Sequence, residues 1–499
     1  MKKKNIQLAR TMLLSGIGAG INYLITFLLT PYITDTIGIE AYGFVSMAKT
    51  AVSYAQIFTI ALTTFVVRYI FVTYHKADME GANSFYSSSI AACIFIAGSI
   101  FVLVLPAIAK LEYLLNIPEE LVFSVKLLFV TVFLNFIMQT VITPFGASAY
   151  IKDRLDISGI LQILAYGADA LTLIVFIRCF VPSVWFVGVG ALASSTVLLI
   201  GNMAVTRRLT PELRFRRKLI STSKIKTMIS NGIWNSFNSL GNVLNSGLDL
   251  IISNLMLSGI ATGQISVAKT VGTILNGLYA LIFQPFQPTL LKAYTGGDRG
   301  TIMYELTRAM KICGYFSNVI LAGFLSLGKV YYALWIPGQE TNTLYLLTLV
   351  TILTGLTTGP MLPVYYVYTM TVKNKIPCLV TISGGFLNIF SMFILLRLTD
   401  WGAYAIVATT AVITLGINLF FNPAYAARCL KTSSGPIYKT LVCHLVSAGV
   451  MSGIFLSIKE VLEPSNWFTL IGTAMIMAAV GVPIHFYIQN IRKDGGRKL

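Results

Sequence analysis

Long apolar runs separated by short polar segments recur along the whole chain. A helix needs about 20 residues to cross the hydrocarbon core of a membrane. The predicted spans are 11–32, 43–66, 86–109, 121–147, 157–177, 184–205, 228–257, 264–288, 312–328, 342–370, 377–396, 403–426, 440–458 and 467–488. The pattern predicts an all-α polytopic membrane protein with about fourteen transmembrane helices. The amphipathic segment 299–311 predicts a short helix on the inner surface.

Composition excludes a soluble globular protein. Charged residues make up 11% of the chain and hydrophobic residues 56%, whereas a soluble domain carries roughly 25% charged residues. The net charge of +18 would suggest nucleic acid in a soluble protein. Here the basic residues lie between apolar runs, where membrane topology accounts for them, so no nucleic-acid partner is expected.

The distribution of basic residues predicts the orientation. Counted from a cytoplasmic N-terminus, most of the 37 lysines and arginines fall in segments on the inner side. Those in outer segments are Lys110, Arg178, Lys329, Arg397 and Lys459. This asymmetry predicts that both termini are cytoplasmic. The first apolar run is longer than the ~7–15 residues of a signal-peptide core, so it is interpreted as a retained helix.

A short repeat connects two distant parts of the chain. The sequence GFVSMAKT at 43–50 matches GQISVAKT at 263–270, and the same register of 220 residues pairs Asp78 with Asp298. Chance identity, a purely structural repeat and a duplicated transporter half are the alternatives. Random substitution among apolar residues does not readily produce matched lysines and aspartates, so the pattern favours duplication.

Six spans per half would place both halves in the membrane with the same orientation, as parallel pseudo-repeats. Transporters built this way bind their substrate between the halves. The predicted domains are a six-helix half at 1–205, a basic cytoplasmic loop at 206–227, a second six-helix half at 228–426, and a two-helix segment with a cytoplasmic tail at 427–499.

Three lysines lie inside predicted spans: Lys49, Lys126 and Lys269. A lysine within a span costs about 2.5–3.5 kcal/mol on insertion scales. One interpretation is that Lys49 and Lys269 snorkel to the interface. The other is that they face a shared aqueous cavity and bind an anionic substrate, for which lysine provides a mobile point charge. Their equivalence in the repeat favours substrate binding, whereas Lys126 near a helix end is predicted to snorkel.

Two aspartates also lie inside spans, Asp169 and Asp249. One hypothesis makes them ion-coupling carboxylates or partners of the lysines. The alternative is that they form internal hydrogen bonds that fix helix packing, and the sequence leaves both open.

The seventh predicted span carries asparagines at Asn231, Asn235, Asn238, Asn242 and Asn245. These positions share one helical face, which is too polar to face lipid. Amide side chains donate and accept hydrogen bonds and therefore suit sugar hydroxyls. We expect Asn235, Asn238, Asn242 and Asn245 to bind substrate. An interhelical hydrogen-bonded seam is the alternative.

No catalytic motif is recognisable. The sequence contains no G-x-S-x-G, H-E-x-x-H or phosphate-binding loop. The six cysteines include no C-x-x-C pair. We expect no enzyme activity, no cofactor and no metal site. A membrane glycan polymerase or ligase, the alternative from another class, would require a large outer loop, and every outer loop is short.

The segment SGIGAGINYLITFLLTPYITDTIGIEAYGFVSMAKT at 15–50 resembles the N-terminus of the bacterial polysaccharide (O-antigen/exopolysaccharide) flippase family. That family is part of the multidrug/oligosaccharidyl-lipid/polysaccharide exporter superfamily. The resemblance implies a flippase of the bacterial inner membrane, acting in lipopolysaccharide or capsule biosynthesis. It would move an undecaprenyl-diphosphate-linked oligosaccharide repeat unit to the outer leaflet by alternating access.

The implied partners are the lipid-linked oligosaccharide, membrane lipids and a glycan polymerase. A multidrug or metabolite antiporter and a lipid II flippase are the alternatives within the superfamily. Paired lysines argue against cationic drugs, because like charges repel strongly at low dielectric.

Overall fold

The computed structural model describes the backbone of residues 2–490 and, apart from residues 2–13, 15, 19 and 246, their side chains. The predicted cytoplasmic tail, with Arg492, Lys493, Arg497 and Lys498, lies outside the described residues. Every regular element of residues 2–490 is helical.

The first ten helices are α1 (Lys2–Thr36), α2 (Ile39–His75), α3 (Met79–Ala109), α4 (Leu111–Leu114), α5 (Val122–Phe145), α6 (Ala147–Ile151), α7 (Leu155–Cys179), α8 (Phe186–Leu209), α9 (Thr222–Ser246) and α10 (Asp249–Met256). The others are α11 (Gly259–Phe283), α12 (Phe286–Thr295), α13 (Arg299–Trp335), α14 (Thr341–Leu353), α15 (Gly355–Met370), α16 (Lys375–Leu398), α17 (Ala403–Gly416), α18 (Asn422–Leu430), α19 (Gly435–Leu462) and α20 (Trp467–Asn490).

The predicted fold class is confirmed. Thirteen helical segments in the described part of the chain are long and apolar enough to cross a membrane. The seventh predicted span, 228–257, is not among them. It consists of α9 and α10, and the asparagine-rich face of α9 lowers its hydropathy. The count is therefore consistent with about fourteen transmembrane helices. The chain is a multi-pass membrane protein.

The repeat is present in the structure. Helices α2 and α11 begin at Ile39 and Gly259, and α3 and α13 begin at Met79 and Arg299. Both pairs of starting points are separated by the 220 residues of the sequence repeat. Local geometry in the two halves therefore follows the same register.

The paired aspartates of the repeat are helix N-caps. The Asp78 carboxylate accepts a hydrogen bond from the Gly81 amide at 2.7 Å, and Asp298 accepts from the Gly300 amide at 3.0 Å. An N-cap carboxylate satisfies amides that the first helical turn leaves without partners. A hydrogen bond from the Thr301 hydroxyl, together with the backbone amides, lowers the pKa of Asp298. The Asp78–Asp298 identity thus has a structural cause.

The chain forms two compact units, Met1–Val243 with Leu250–Gly263, and Leu244–Asp249 with Gln264–Leu499. In the first unit, α8 packs against α5 and α7, and α2 packs against α3 and α5. Leu62, Val66, Ile70 and Met228 contribute to its buried core.

In the second unit, α13 is the central helix, and α14, α15, α19 and α20 pack on it. The predicted surface helix at 299–311 is wrong, because these residues form the first turns of α13. Ile302, Leu306 and Met310 are buried in the unit core. The apolar face that suggested an interfacial helix packs against protein.

The chain passes from one unit to the other along 243–264 rather than at the basic loop. Helix α10 is fixed within the first unit by Asn254, whose side chain accepts from the Asn116 amide at 2.9 Å and donates to the Asn116 carbonyl at 3.2 Å. The predicted domain limits, 1–205 and 228–426, were drawn from the sequence repeat, whereas the two compact units reflect how the helices pack. These domain limits stay a prediction.

Gly43 and Gly263, which are equivalent in the repeat, touch each other inside the first unit. A Cβ at Gly43 would lie 3.0 Å from the Gly263 nitrogen, and a Cβ at Gly263 would meet the Ile39 carbonyl oxygen. Small residues allow this close approach of two membrane helices. The close contact therefore explains why glycine is found at both of these positions of the repeat.

We predict that Gly263→Val lowers the thermal unfolding midpoint of the purified protein. The added side chain would collide with backbone, and overpacking costs typically 1–3 kcal/mol. The matched control is Gly98→Ala, since no atom lies within 4 Å of a Cβ there, and it should leave the midpoint unchanged or slightly raised. Equal midpoints for Gly263→Val and wild type would show that the contact is not tight.

Candidate functional site

Lys269 forms an ion pair with Asp249 inside the second unit. Lys269 Nζ lies 2.8 Å from Asp249 Oδ2. The Asp249 side chain is 4% exposed and that of Lys269 is 24% exposed. A charge removed from water needs a partner of opposite sign. The aspartate therefore explains how a lysine is tolerated at this position.

Lys49 has an acidic neighbour inside the first unit. Its side chain is exposed, and it interacts electrostatically with Asp169 on α7. The Asp169 carboxylate occupies the space that a Cβ at Gly190 would need, so the small residue on α8 makes room for it. Each lysine of the repeat thus has an aspartate nearby.

The two aspartates are not equivalent in the repeat. Asp249 is the first residue of α10, just before the repeat segment, whereas Asp169 is on α7, far beyond it. Lys49 and Lys269 occupy matched positions and obtain their negative charges from different helices. The lysine positions therefore belong to the repeat, whereas the aspartate positions do not.

The chain is not helical between Ser246 and Asp249. Three side-chain oxygens of residues at this break or bonded to it, two from amides and one from a carboxylate, have no hydrogen-bond partner among the described residues. Asn388 Nδ2 on α16 donates to the Asn245 carbonyl at 2.6 Å. The Oδ1 atoms of Asn245, Asp249 and Asn388 are buried and accept no hydrogen bond from the described residues. Such groups are costly unless a ligand satisfies them. All of these residues belong to the second unit.

The middle of the predicted asparagine face of α9 is exposed, while other positions of α9 pack on α2. Ser236 donates to the Ile57 carbonyl of α2 at 2.6 Å, and Gly232 packs on the Ala61 backbone. Asn235, Asn238 and Asn242 are exposed. The exposure of Asn235 and Asn238 places both outside the packed contact between α9 and α2 in the first unit. The role of the three asparagines in binding substrate stays a prediction.

Asn231 and Asn245, at the two ends of the stripe, are engaged by neighbouring helices. Asn231 donates to the Tyr69 hydroxyl at 2.6 Å. Asn245, as described above, is held through its carbonyl by Asn388. The exposed asparagines therefore lie in the middle of the stripe, at Asn235, Asn238 and Asn242.

Lys126 is paired with an acidic residue near the end of its helix. Its Nζ lies 2.6 Å from Glu112 Oε2. The hydrogen bond from Lys126 lowers the pKa of Glu112. An ion pair at the helix end accounts for this lysine, and nothing connects it with a substrate.

Sequence reasoning missed a buried network in the second unit. Asn318 Nδ2 donates to the His444 carbonyl at 3.0 Å, and Ser447 Oγ lies 2.9 Å from His485 Nδ1. His485 Nε2 lies 3.0 Å from the Lys311 carbonyl. The two histidines are 41 positions apart and carry no recognisable motif. This network fixes the terminal helix pair α19–α20 to α13.

Comparisons with known proteins identify relatives. The sequence model of a family described as polysaccharide biosynthesis protein matches residues 8–293, more than half of the chain. The chain is 25% identical over 453 residues to the uncharacterized membrane protein EpsK of Bacillus subtilis (strain 168), covering 90% of this chain and 89% of the relative.

Solved transporter structures share the fold. The lipid II flippase MurJ in an inward closed conformation gives a TM-score of 0.67 at 13% identity, covering 99% of this chain and 100% of that one. An inward-facing multidrug resistance MATE family transporter of the MOP superfamily gives 0.66 at 12% identity, covering 86% and 99%. At this identity the likeness concerns the fold.

We predict that Asp249 and Lys269 are energetically coupled. Either Asp249→Asn or Lys269→Met alone leaves the other charge without its partner, so each should destabilise the protein more than the double variant does. A double-mutant cycle on unfolding should give a coupling of about 1–3 kcal/mol. The more exposed pair Lys126–Glu112 is the control and should couple more weakly. Additive effects of the Asp249 and Lys269 substitutions would contradict the ion pair.

Proposed function

Since the chain belongs to the polysaccharide biosynthesis protein family of the flippase type, we propose that it is a flippase for a polyprenyl-diphosphate-linked oligosaccharide. The observation that supports this most strongly is the matched pair of membrane lysines, each with an aspartate nearby. The substrate is an anion on a lipid tail, and membrane cations mark the paths of charged substrates.

Each lysine would exchange its carboxylate for a phosphate oxygen. The Asp249 carboxylate holds the Lys269 ammonium in place while no substrate is bound. A diphosphate offers more negative charge than one carboxylate, so it competes well for the same ammonium. The flexible lysine stem allows the charge to follow the phosphate. Lys49 would act in the same way beside Asp169.

The exposed asparagines of α9 would contact the sugars. Asn235, Asn238 and Asn242 provide donors and acceptors without charge. Such side chains bind hydroxyl-rich substrates without a preference for one ionic group. The polyprenyl tail would remain in lipid while the headgroup crosses by alternating access.

The helix break near Asp249 supports cation coupling. Hard cations take oxygen ligands, and the Oδ1 atoms of Asn245, Asp249 and Asn388 are buried without a hydrogen-bond partner among the described residues. The cation proposed for this site is sodium. A sodium ion at Asp249 would compete with Lys269 and release the ammonium for phosphate. Asp169 is the corresponding carboxylate near Lys49.

We propose a bacterial inner-membrane location with both termini in the cytoplasm, because the basic residues concentrate in segments of one side. A glycan polymerase that consumes the translocated repeat unit is the proposed protein partner. The first alternative substrate is lipid II, which carries the same diphosphate and therefore fits the same lysines.

The test uses a deletion strain of the parent bacterium. Deletion should abolish surface glycan and leave lipid-linked repeats in the cytoplasmic leaflet. At matched membrane levels, wild type should restore export, whereas Lys49→Ala/Lys269→Ala should export roughly tenfold less, because the diphosphate loses its charge partners. Both pools are measured by glycan labelling and lipid extraction.

The control is Lys126→Ala, which removes a different membrane lysine and should restore export fully. Lys269→Met/Asp249→Asn preserves charge balance, so its failure to export separates loss of the Lys269–Asp249 site, through phosphate binding or cation coupling, from misfolding. Full rescue by the Lys49/Lys269 variant would refute the lysine site. Unchanged glycan with arrested peptidoglycan synthesis would identify lipid II as the substrate.

For coupling, sodium should raise the unfolding midpoint of the purified protein by a few degrees over choline, since a bound ligand stabilises the native state. Asp249→Asn and Asn388→Ala should abolish the difference. Asn235→Ala, on the same polar helix but away from the break, should retain it. A sodium effect that survives Asp249→Asn would exclude this cation site.

A further inference from the structure

Residues 210–221, which we term the strap, lie against the first turns of α3 within the first unit. Backbone amides of the strap donate to side chains on one face of α3. The pairs are Arg214 to Asn83 at 2.6 Å, Arg216 to Ser87 at 2.9 Å and Ser221 to Ser88 at 2.8 Å. Ser84 donates to the Leu219 carbonyl at 2.7 Å. The strap is therefore a fixed element rather than a loose loop.

The fixed backbone determines which side chains face outward. Leu213 is buried in the core of the first unit. The exposed residues that follow it are Arg214, Phe215, Arg216, Arg217 and Lys218. Phe215 is 52% exposed and Ile220 is 37% exposed. The outer surface of the strap thus combines four positive charges and one negative charge, that of Glu212, with two apolar side chains.

The strap lies at the membrane-surface end of two spans. Helix α8 ends at Leu209, directly before it, and the α3 residues that hold it lie just after the helix start at Met79. A cavity of about 530 Å³ beside the strap is lined by Arg214, Arg216 and Asn83, together with Glu80 and Glu212. The basic side chains are therefore presented at the level where lipid headgroups lie.

We propose that the strap binds the anionic phospholipid headgroups of the adjacent leaflet. Clusters of basic residues next to a span attract anionic headgroups. The exposed Phe215 and Ile220 would enter the acyl boundary, as apolar side chains of interfacial elements do. The hydrogen bonds to α3 order the backbone beforehand, so binding costs little further entropy. This inference does not depend on the transported substrate.

The test uses the full chain in nanodiscs of phosphatidylcholine containing phosphatidylglycerol with a photoreactive headgroup. Crosslinked peptides are mapped by mass spectrometry. Labelling should concentrate on residues 212–220 and fall at high salt, which screens surface charges. Arg214→Gln/Arg216→Gln/Arg217→Gln should reduce it at least roughly tenfold, because each basic residue contributes about fivefold. The strap should keep its fold, since the bonds to Asn83 and Ser87 come from backbone amides.

Two variants serve as controls. Arg428→Gln/Lys431→Gln/Lys439→Gln removes three exposed basic residues from the second unit and should leave strap labelling unchanged. Replacing the three strap arginines by lysine keeps the charge and should retain labelling. Equal labelling by a phosphatidylcholine probe, or unchanged labelling of the glutamine variant, would overturn the proposal. Absence of strap labelling in wild type would also overturn it and favour an acidic protein partner.

Discussion

The cost of placing an ammonium group among apolar helices governs the arrangement of this protein. Lys49 and Lys269 occupy equivalent positions of the repeat, and each has an aspartate in its own unit. A lysine with a nearby carboxylate is tolerated in the membrane, and it remains available to a stronger anion. The same feature therefore satisfies folding and, in the function we propose, supplies the ammonium group for a phosphate.

The ion pair of the second unit lies at a break between two helices. The chain leaves helical geometry after Ser246 and resumes it at Asp249, whose Oδ2 lies 2.8 Å from Lys269 Nζ. Next to the break, Asn388 Nδ2 donates to the Asn245 carbonyl, and the Oδ1 atoms of Asn245, Asp249 and Asn388 are buried without a hydrogen-bond partner among the described residues. In the first unit, the helix that the 220-residue register pairs with α9 and α10 is α1, which is continuous from Lys2 to Thr36, and Asp169 is on α7. The two units therefore differ in the groups around the matched lysines.

Hydrophobic periodicity was sufficient to predict the class of fold and a count of about fourteen membrane helices, because membrane helices must satisfy their backbone internally. Thirteen segments of the described residues are long and apolar enough to cross a membrane. The repeat was visible because charged residues are rare in such a chain. The sequence could not predict which aspartate serves which lysine, since Asp169 and Lys49 are 120 positions apart. The surface helix predicted at 299–311 failed because an amphipathic pattern does not distinguish lipid from a neighbouring helix as the apolar partner. Likewise, the strap depends on serines of α3 whose sequence carries no motif.

We propose above all that Lys49 and Lys269 bind a lipid-linked diphosphate, and a direct binding measurement tests this proposal. Calorimetry on the purified protein would compare a short-chain polyprenyl diphosphate with the uncharged alcohol of the same chain. The account predicts that the diphosphate binds wild type, that the alcohol does not, and that binding is lost in Lys49→Met/Lys269→Met. Equal binding of the diphosphate to wild type and to that variant would contradict it.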